Sequence, residues 1–436
     1  MTQRWESMTK RTALLALTIA AVGSGSCIHP ENPLYCQGHP DDPTCRVLDA
    51  GTTPDTTDGC TSSAQCAPPK GVCELTTKTC VQCIAPDQTS ACSGTSPVCQ
   101  SDNTCHGCAS HTECSSDVCL PDGSCSDGSN VAYVDPAGTD NASCTKATPC
   151  TKVAKALATS RPYVKFTGTT NEPVSINNQN VGFLADPGAK LTEATAGIVL
   201  EVRGNSQVTV EDLRISDGLA NGIGVSMPAA NTANVTLKRV TLSGNGGGGI
   251  TASGGTLTVT QSTISGNAGG GISISGAQFT ITNNFIVANG SATTAFGGVD
   301  LQSLTTSGTY RLEFNTLSGN TGAMNANTGI ACPSVFIPVA TKNNIVYSNT
   351  VSGVGAQIGG SNCACTYCDI GPVGFTGTGN INADPMFVNP GQANYHLMAS
   401  SPCKDAADPA ATLDVDFDGD SRPQGSGRDI GADEVH

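Results

Sequence analysis

"VTLSGNGGGGI" at residues 240–250 is followed by "STISGNAGGGI" at 262–272, so the chain repeats itself after 22 residues. Taking the apolar residue before each turn as an anchor extends the repeat in both directions, to Ile215, Leu242, Ile264, Ile286, Leu317 and Val346. Seven residues before each anchor stands another residue fit for a core: Val208, Val235, Leu257, Phe279, Tyr310 and Val339. Two residues after that position come Val210, Leu237, Val259, Ile281, Leu312 and, less well, Thr341. The turns bring Asn245, Asn267, Asn289, Asn320 and Asn349 into register, at intervals of 22, 22, 31 and 29 residues.

Within each repeat the pattern is alternation over three to five residues, as in "TLTVT", and never the 3.6-residue period of a helix. Short strands with one Asn- and Gly-rich corner per repeat predict an all-β chain, a right-handed single-stranded parallel β-helix in which each coil stacks on the last. A Gly after the Asn is expected to take positive φ at the corner, and the aligned asparagines to hydrogen-bond from coil to coil. Residues beyond the minimum period of 22 are expected to protrude as loops. The glycines invite a phosphate-loop reading, but no Lys follows them and the periodicity accounts for them.

The ends set the compartment. Residues 1–26 combine Arg4, Lys10 and Arg11 with a short apolar run and a small-residue stretch, the form of an export signal. "SGSC" resembles a bacterial lipoprotein box, with Ser24 where that pattern usually has an aliphatic residue, and implies lipidation of Cys27 and an outer-membrane anchor; ordinary cleavage would give a secreted chain. The whole chain has 21 Lys and Arg against 36 Asp and Glu; without residues 1–26, which include Glu6, 18 face 35, a formal charge of −17. Such a surface repels nucleic acid.

Twenty-two cysteines in an exported chain point to disulfides. Residues 27–59 are rich in Pro, Asp and Thr and read as a tether with a local Cys36–Cys45 pair, while 60–125 hold twelve cysteines. Their spacing suggests one unit at Cys66, Cys73, Cys80 and Cys83, a second at Cys92, Cys99, Cys105 and Cys108, and a shortened third at Cys114, Cys119 and Cys125. The close pairs Cys80/Cys83 and Cys105/Cys108 have zinc-knuckle spacing, but at this density structural disulfides are expected. The region resembles the Cys-rich repeats of bacterial surface proteins, which implies display or adhesion. Cys332, Cys363, Cys365, Cys368 and Cys403 are odd in number; "CACTYC" is compact enough for a soft-metal site, but in an oxidising compartment two disulfides and one free thiol are expected.

From 131 to 436 the chain reads as the β-helix domain. Its opening, "VAYVDPAGTDNASCTKATPCTKVAKALA", predicts a strand at 131–134, a Cys144–Cys150 loop and a short helix capping the first coil. This opening resembles secreted β-helix proteins of the pectate lyase-like group. The closing stretch from "NINADPMFVNP" to "RDIGADE", with Asp384, Pro385, Tyr395, His396, Leu397, Asp418, Gly419, Arg422, Pro423, Asp429, Ile430, Gly431 and Glu434, resembles the end of a broad bacterial family of exported right-handed β-helix proteins. That resemblance implies architecture and a surface or secreted location.

Chemistry is harder to place. The coils offer Glu211, Asp212, Arg214, Lys238, Arg239, Asp300, Arg311 and Glu313 singly, with no paired carboxylates suited to a hydrolase and no clustered acids and base suited to a lyase. A non-enzymatic surface lipoprotein that binds glycans or cells is therefore expected. The alternatives are a polysaccharide lyase or hydrolase on the β-helix face, and an envelope protein that binds other proteins through its Cys-rich repeats. In "DVDFDGD", Asp414, Asp416, Asp418 and Asp420 alternate around Gly419 like the first half of a calcium loop, which makes Ca²⁺ the expected cofactor. The other reading of these acids is a tail pinned across the last coil by Asp–Arg pairs.

Overall fold

The computed structural model describes residues 59–436 except 86–90, 194–196, 219–222, 230–231, 306, 324–327, 333–338, 352–353, 356 and 360–362. Cys27 and the Cys36–Cys45 pair lie outside the described residues. The chain divides into two compact units, Met1–Cys80 and Val81–His436.

In the first unit, disulfides join Cys60 to Cys73 and Cys66 to Cys80. The second unit opens with two further modules of the same plan, Cys83–Cys99 with Cys92–Cys105, then Cys108–Cys119 with Cys114–Cys125. Each module thus pairs its first cysteine with its third and its second with its fourth. This corrects the unit boundaries read from the sequence: Cys80/Cys83 and Cys105/Cys108 straddle two modules instead of closing one. A 3₁₀ turn recurs as well, Ser63–Gln65 and His111–Glu113, each held by a capping box from the preceding Ser.

The rest of the second unit is a stack of coils whose strands form three parallel sheets of ten, nine and eight strands. One coil shows the plan: Thr256–Thr260 in the ten-stranded sheet, Thr263–Ser265 in the nine-stranded sheet and Ile272–Ser275 in the eight-stranded sheet. The register is the one the repeat predicts. Val208, Val235, Leu257, Phe279 and Tyr310 pair in sequence, as do Ile215, Leu242, Ile264, Ile286, Leu317 and Val346. Alternation sends these side chains inward, where the second series is wholly buried, so that within the two series each paired side chain meets another core residue in the adjoining coil.

All three corners carry positive φ, and between the eight- and ten-stranded sheets it falls on Asn178, Gly204, Gly255, Gly276 and Ser303. Between the ten- and nine-stranded sheets the corner residue is Asp212, Arg239, Gln261, Asn283, Phe314, Asn343 and Tyr367 in successive coils, with φ from 52° to 62°. At the Asn corner the positive-φ residue is Gly244, Gly266, Ala288, Gly319 or Ser348. The expected positive-φ Gly after the Asn is found at Gly290, and the expectation is corrected for the other four corners. The left-handed residue comes just before the Asn and turns the Asn side chain into the coil, where its amide replaces the backbone hydrogen bonds that the bend interrupts.

The short helix α1, Val153–Ala158, buries Val153 and Ala156 against the first strands, Val131–Val134 and Tyr163–Phe166. At the other end the tail runs along the outside of the stack, a difference from the expected crossing of the last coil. Gln261 Nε2 donates to the Asp416 carbonyl, Asn283 Nδ2 to the Val415 carbonyl, and the Asp408 N–H to Asn343 Oδ1. The corner between the ten- and nine-stranded sheets turns Gln261, Asn283 and Asn343 outward, and the tail docks on that column.

Candidate functional site

A cleft of about 580 Å³ opens where the third disulfide module meets the outer face of the ten-stranded sheet. Its walls include Ser110, His111 and Thr112 from the module, and Asp186, Glu211, Asp212, Lys238 and Arg239 from the coils. The module is seated by apolar burial: Val118 and Leu120 pack with Val131, Tyr133, Tyr163 and Leu184, and the Tyr133 hydroxyl donates to the Ser116 carbonyl at 2.7 Å.

Local structure positions each side chain. His111 begins the capped 3₁₀ turn, and its Nδ1 accepts the Cys119 N–H at 3.0 Å. The neutral ring therefore carries its hydrogen on Nε2, an atom with no hydrogen-bond partner that lies 3.9 Å from Asp212 Oδ2. Asp212 and Arg239 are successive corner residues, which brings their side chains together. Arg239 Nε donates to Asp212 Oδ1 at 2.6 Å, and Nη2 donates to Asp212 Oδ2 at 2.8 Å and to Glu211 Oε2 at 2.9 Å. Its Nη1 makes no hydrogen bond among the described residues, so one edge of a rigidly held guanidinium remains available beside two carboxylates.

Behind this array Lys165, 1% exposed, places Nζ 2.7 Å from Asp186 Oδ1. That is ion-pair distance, although the approach angle is not that of a hydrogen bond. Burial holds the Lys165 ammonium below its usual range, opposed by the pairing with Asp186. Burial also pushes His111 down, with the Lys165 charge adding to the effect. His111 is thus a neutral donor near pH 7, and its other nitrogen is occupied by backbone.

The residues singled out from sequence fall in several places. Asn245, Asn267, Asn289, Asn320 and Asn349 form one buried ladder in which each Nδ2 donates to the Oδ1 of the next, at 2.8–3.0 Å, ending on Gln357. Cys144 and Cys150 are disulfide-bonded. Cys332 pairs with Cys363 and Cys365 with Cys368, leaving Cys403 as a buried thiol.

The four aspartates of the tail turn to separate partners. Asp414 meets Arg428 at 3.1 Å, Asp418 meets His396 at 2.9 Å and Asp420 meets His436 at 2.9 Å. Asp416, 1% exposed, accepts the backbone N–H groups of Asp418, Asp420 and Glu434. Arg422 is wholly buried on Glu434. His396, from the closing stretch, sits on a surface hairpin, Phe387–Asn389 with Asn394–Leu397.

A second ladder escaped the sequence reading. Asn284, Asn315 and Asn344 hydrogen-bond in series just after the corner between the ten- and nine-stranded sheets. Its signal was present, an Asn two residues before three of the anchors. The cleft had no such signal, because His111 reaches it from another module.

Residues 196–384 match the family model described as "Right handed beta helix region". No curated protein matches the chain. Among solved structures, the crystal structure of pectate lyase Pel9A is similar with a TM-score of 0.47 and 16% identity, over 70% of this chain and 96% of that one. The stack is a right-handed parallel β-helix, preceded by a disulfide-rich region.

Proposed function

We propose that this chain is a cell-surface protein, exported and held at the outer membrane through Cys27, that binds a glycan in the cleft between the third disulfide module and the β-helix. The observation that carries this reading is the Arg239 array. A guanidinium fixed by Asp212 and Glu211 presents donors and acceptors side by side, which suits the adjacent hydroxyls of a sugar. The hydroxyls of Ser110 and Thr112 line the opposite wall. Lys165, Lys238 and Arg239 balance Asp186, Glu211 and Asp212, so a neutral saccharide fits better than a polyanion.

A glycan array probed with the wild type and with Asp212→Asn tests the proposal. Asn tolerates the left-handed backbone at this corner, so the variant removes charge without refolding the turn. Binding that falls at least tenfold supports the cleft, and binding that is unchanged sinks it.

The second reading is a polysaccharide-cleaving enzyme at the same place. It is favoured by Lys238, which has no partner among the described residues and stands in register with Glu211. Release of new reducing or unsaturated ends from the bound glycan, abolished by Lys238→Ala, would favour it over simple binding.

A further inference from the structure

His396, Asp418 and Asp433 come from three separate stretches, yet each brings a ligand atom within 4.8 Å of the other two. The ring orientation is fixed. Asn394 Oδ1 accepts the His396 backbone N–H at 3.1 Å, which identifies that atom as oxygen, and it also lies 2.8 Å from His396 Nδ1. Nδ1 must then donate. Nε2 is left facing Asp418 Oδ2 at 2.9 Å, and two acceptors meet there unless a proton or a metal ion lies between them.

A second observation comes from Asp433, which is 6% exposed. Its Oδ2 accepts the Leu397 N–H at 2.7 Å, while Oδ1 accepts no hydrogen bond among the described residues. The arginines of the tail are spent elsewhere, Arg422 on Glu434 and Arg428 on Asp414. A nearly buried carboxylate thus keeps an open oxygen beside an imidazole nitrogen and a second carboxylate.

We infer that His396 Nε2 and one oxygen each from Asp418 and Asp433 bind a divalent transition-metal ion of the zinc class. Ligands about 2.0–2.2 Å from a tetrahedral ion stand roughly 3.3 Å apart, which lies between the 2.9 Å from Nε2 to Asp418 Oδ2 and the 4.8 Å that bounds the three atoms. An imidazole ligand selects against calcium, which takes oxygen donors. Asn394 Oδ1 holding Nδ1–H is the outer-shell support that metal-bound histidines use. Three protein ligands leave one position for water. Of the four alternating aspartates, only Asp418 takes part.

The full chain, stripped with chelator, is titrated with Zn²⁺ by calorimetry, with Co²⁺ as an optical probe. One equivalent should bind, excess Ca²⁺ should not displace it, and His396→Gln and Asp418→Asn should each weaken binding at least tenfold. Both side chains are partly exposed, and unchanged metal-free melting confirms that the variants fold. His436→Gln, which removes the exposed pair with Asp420, should leave binding intact. The inference is overturned by absence of binding to the folded wild type, by binding that survives His396→Gln, or by displacement of Zn²⁺ by Ca²⁺.

Discussion

Replacing Asn267 with Ala probes the ladder at an interior rung. The side chain is wholly buried. Its Oδ1 accepts the Asn245 N–H at 3.1 Å and Asn245 Nδ2 at 2.9 Å, and its Nδ2 donates to the Leu242 carbonyl at 3.1 Å and to Asn289 Oδ1 at 2.9 Å. Alanine removes all four bonds and strands two donors of Asn245 in a dry interior. At about 1–3 kcal/mol for each buried donor left unpaired, the loss should be about 4 kcal/mol. Equilibrium urea unfolding of the variant measures it against Thr258→Ala, an outward position in the same coil whose loss should stay near 0.5 kcal/mol. An Asn267→Ala loss no larger than that of Thr258→Ala would show that the ladder does not hold the corners.

Arg422→Leu should cost about 3–5 kcal/mol, because it leaves Glu434 charged and buried without its partner; limited proteolysis should then cut within 405–436 first, and an unchanged digest would count against the docked tail. Burial raises Asp369 to about 6, above its unfolded value. Its protonated form therefore favours the folded state, and the stability it contributes is fully present below about pH 4 and is lost as the pH rises through about 6. Relative to wild type, Asp369→Asn should be more stable at pH 8 and lose that advantage by pH 4; a difference that does not vary with pH would refute the assignment. Cys403 is buried, with its Sγ–H donated to Asp369 Oδ2 at 3.2 Å. Peptide mapping should find it alkylated only after denaturation without reductant, and labelling of the native protein would contradict the packing.

The stacked coils were legible because each inward position is filled again one coil later by a residue of the same kind. Val208, Val235 and Leu257 announce a column by their spacing alone. The Asn corners were legible for the same reason, and the second ladder could have been, since Asn284, Asn315 and Asn344 obey the same offsets. The side of the Asn that takes positive φ could not be read, because Gly flanks it on both sides in "SGNGG". Docking left no periodic trace. Gln261 and Asn283 look like ordinary solvated corner residues until the tail lies over them, and His111 is one residue of a disulfide module until it stands beside Asp212. The disulfide modules were misframed because two short Cys-x-x-Cys spacings drew the boundary to Cys83 instead of Cys80.

Hydrogen exchange of the full chain with and without the strongest glycan from the array tests the central claim most directly. Protection confined to 108–121, 185–187, 211–212 and 238–239 is the expected result, whereas protection on another face of the stack, or none at saturating glycan, would contradict the account.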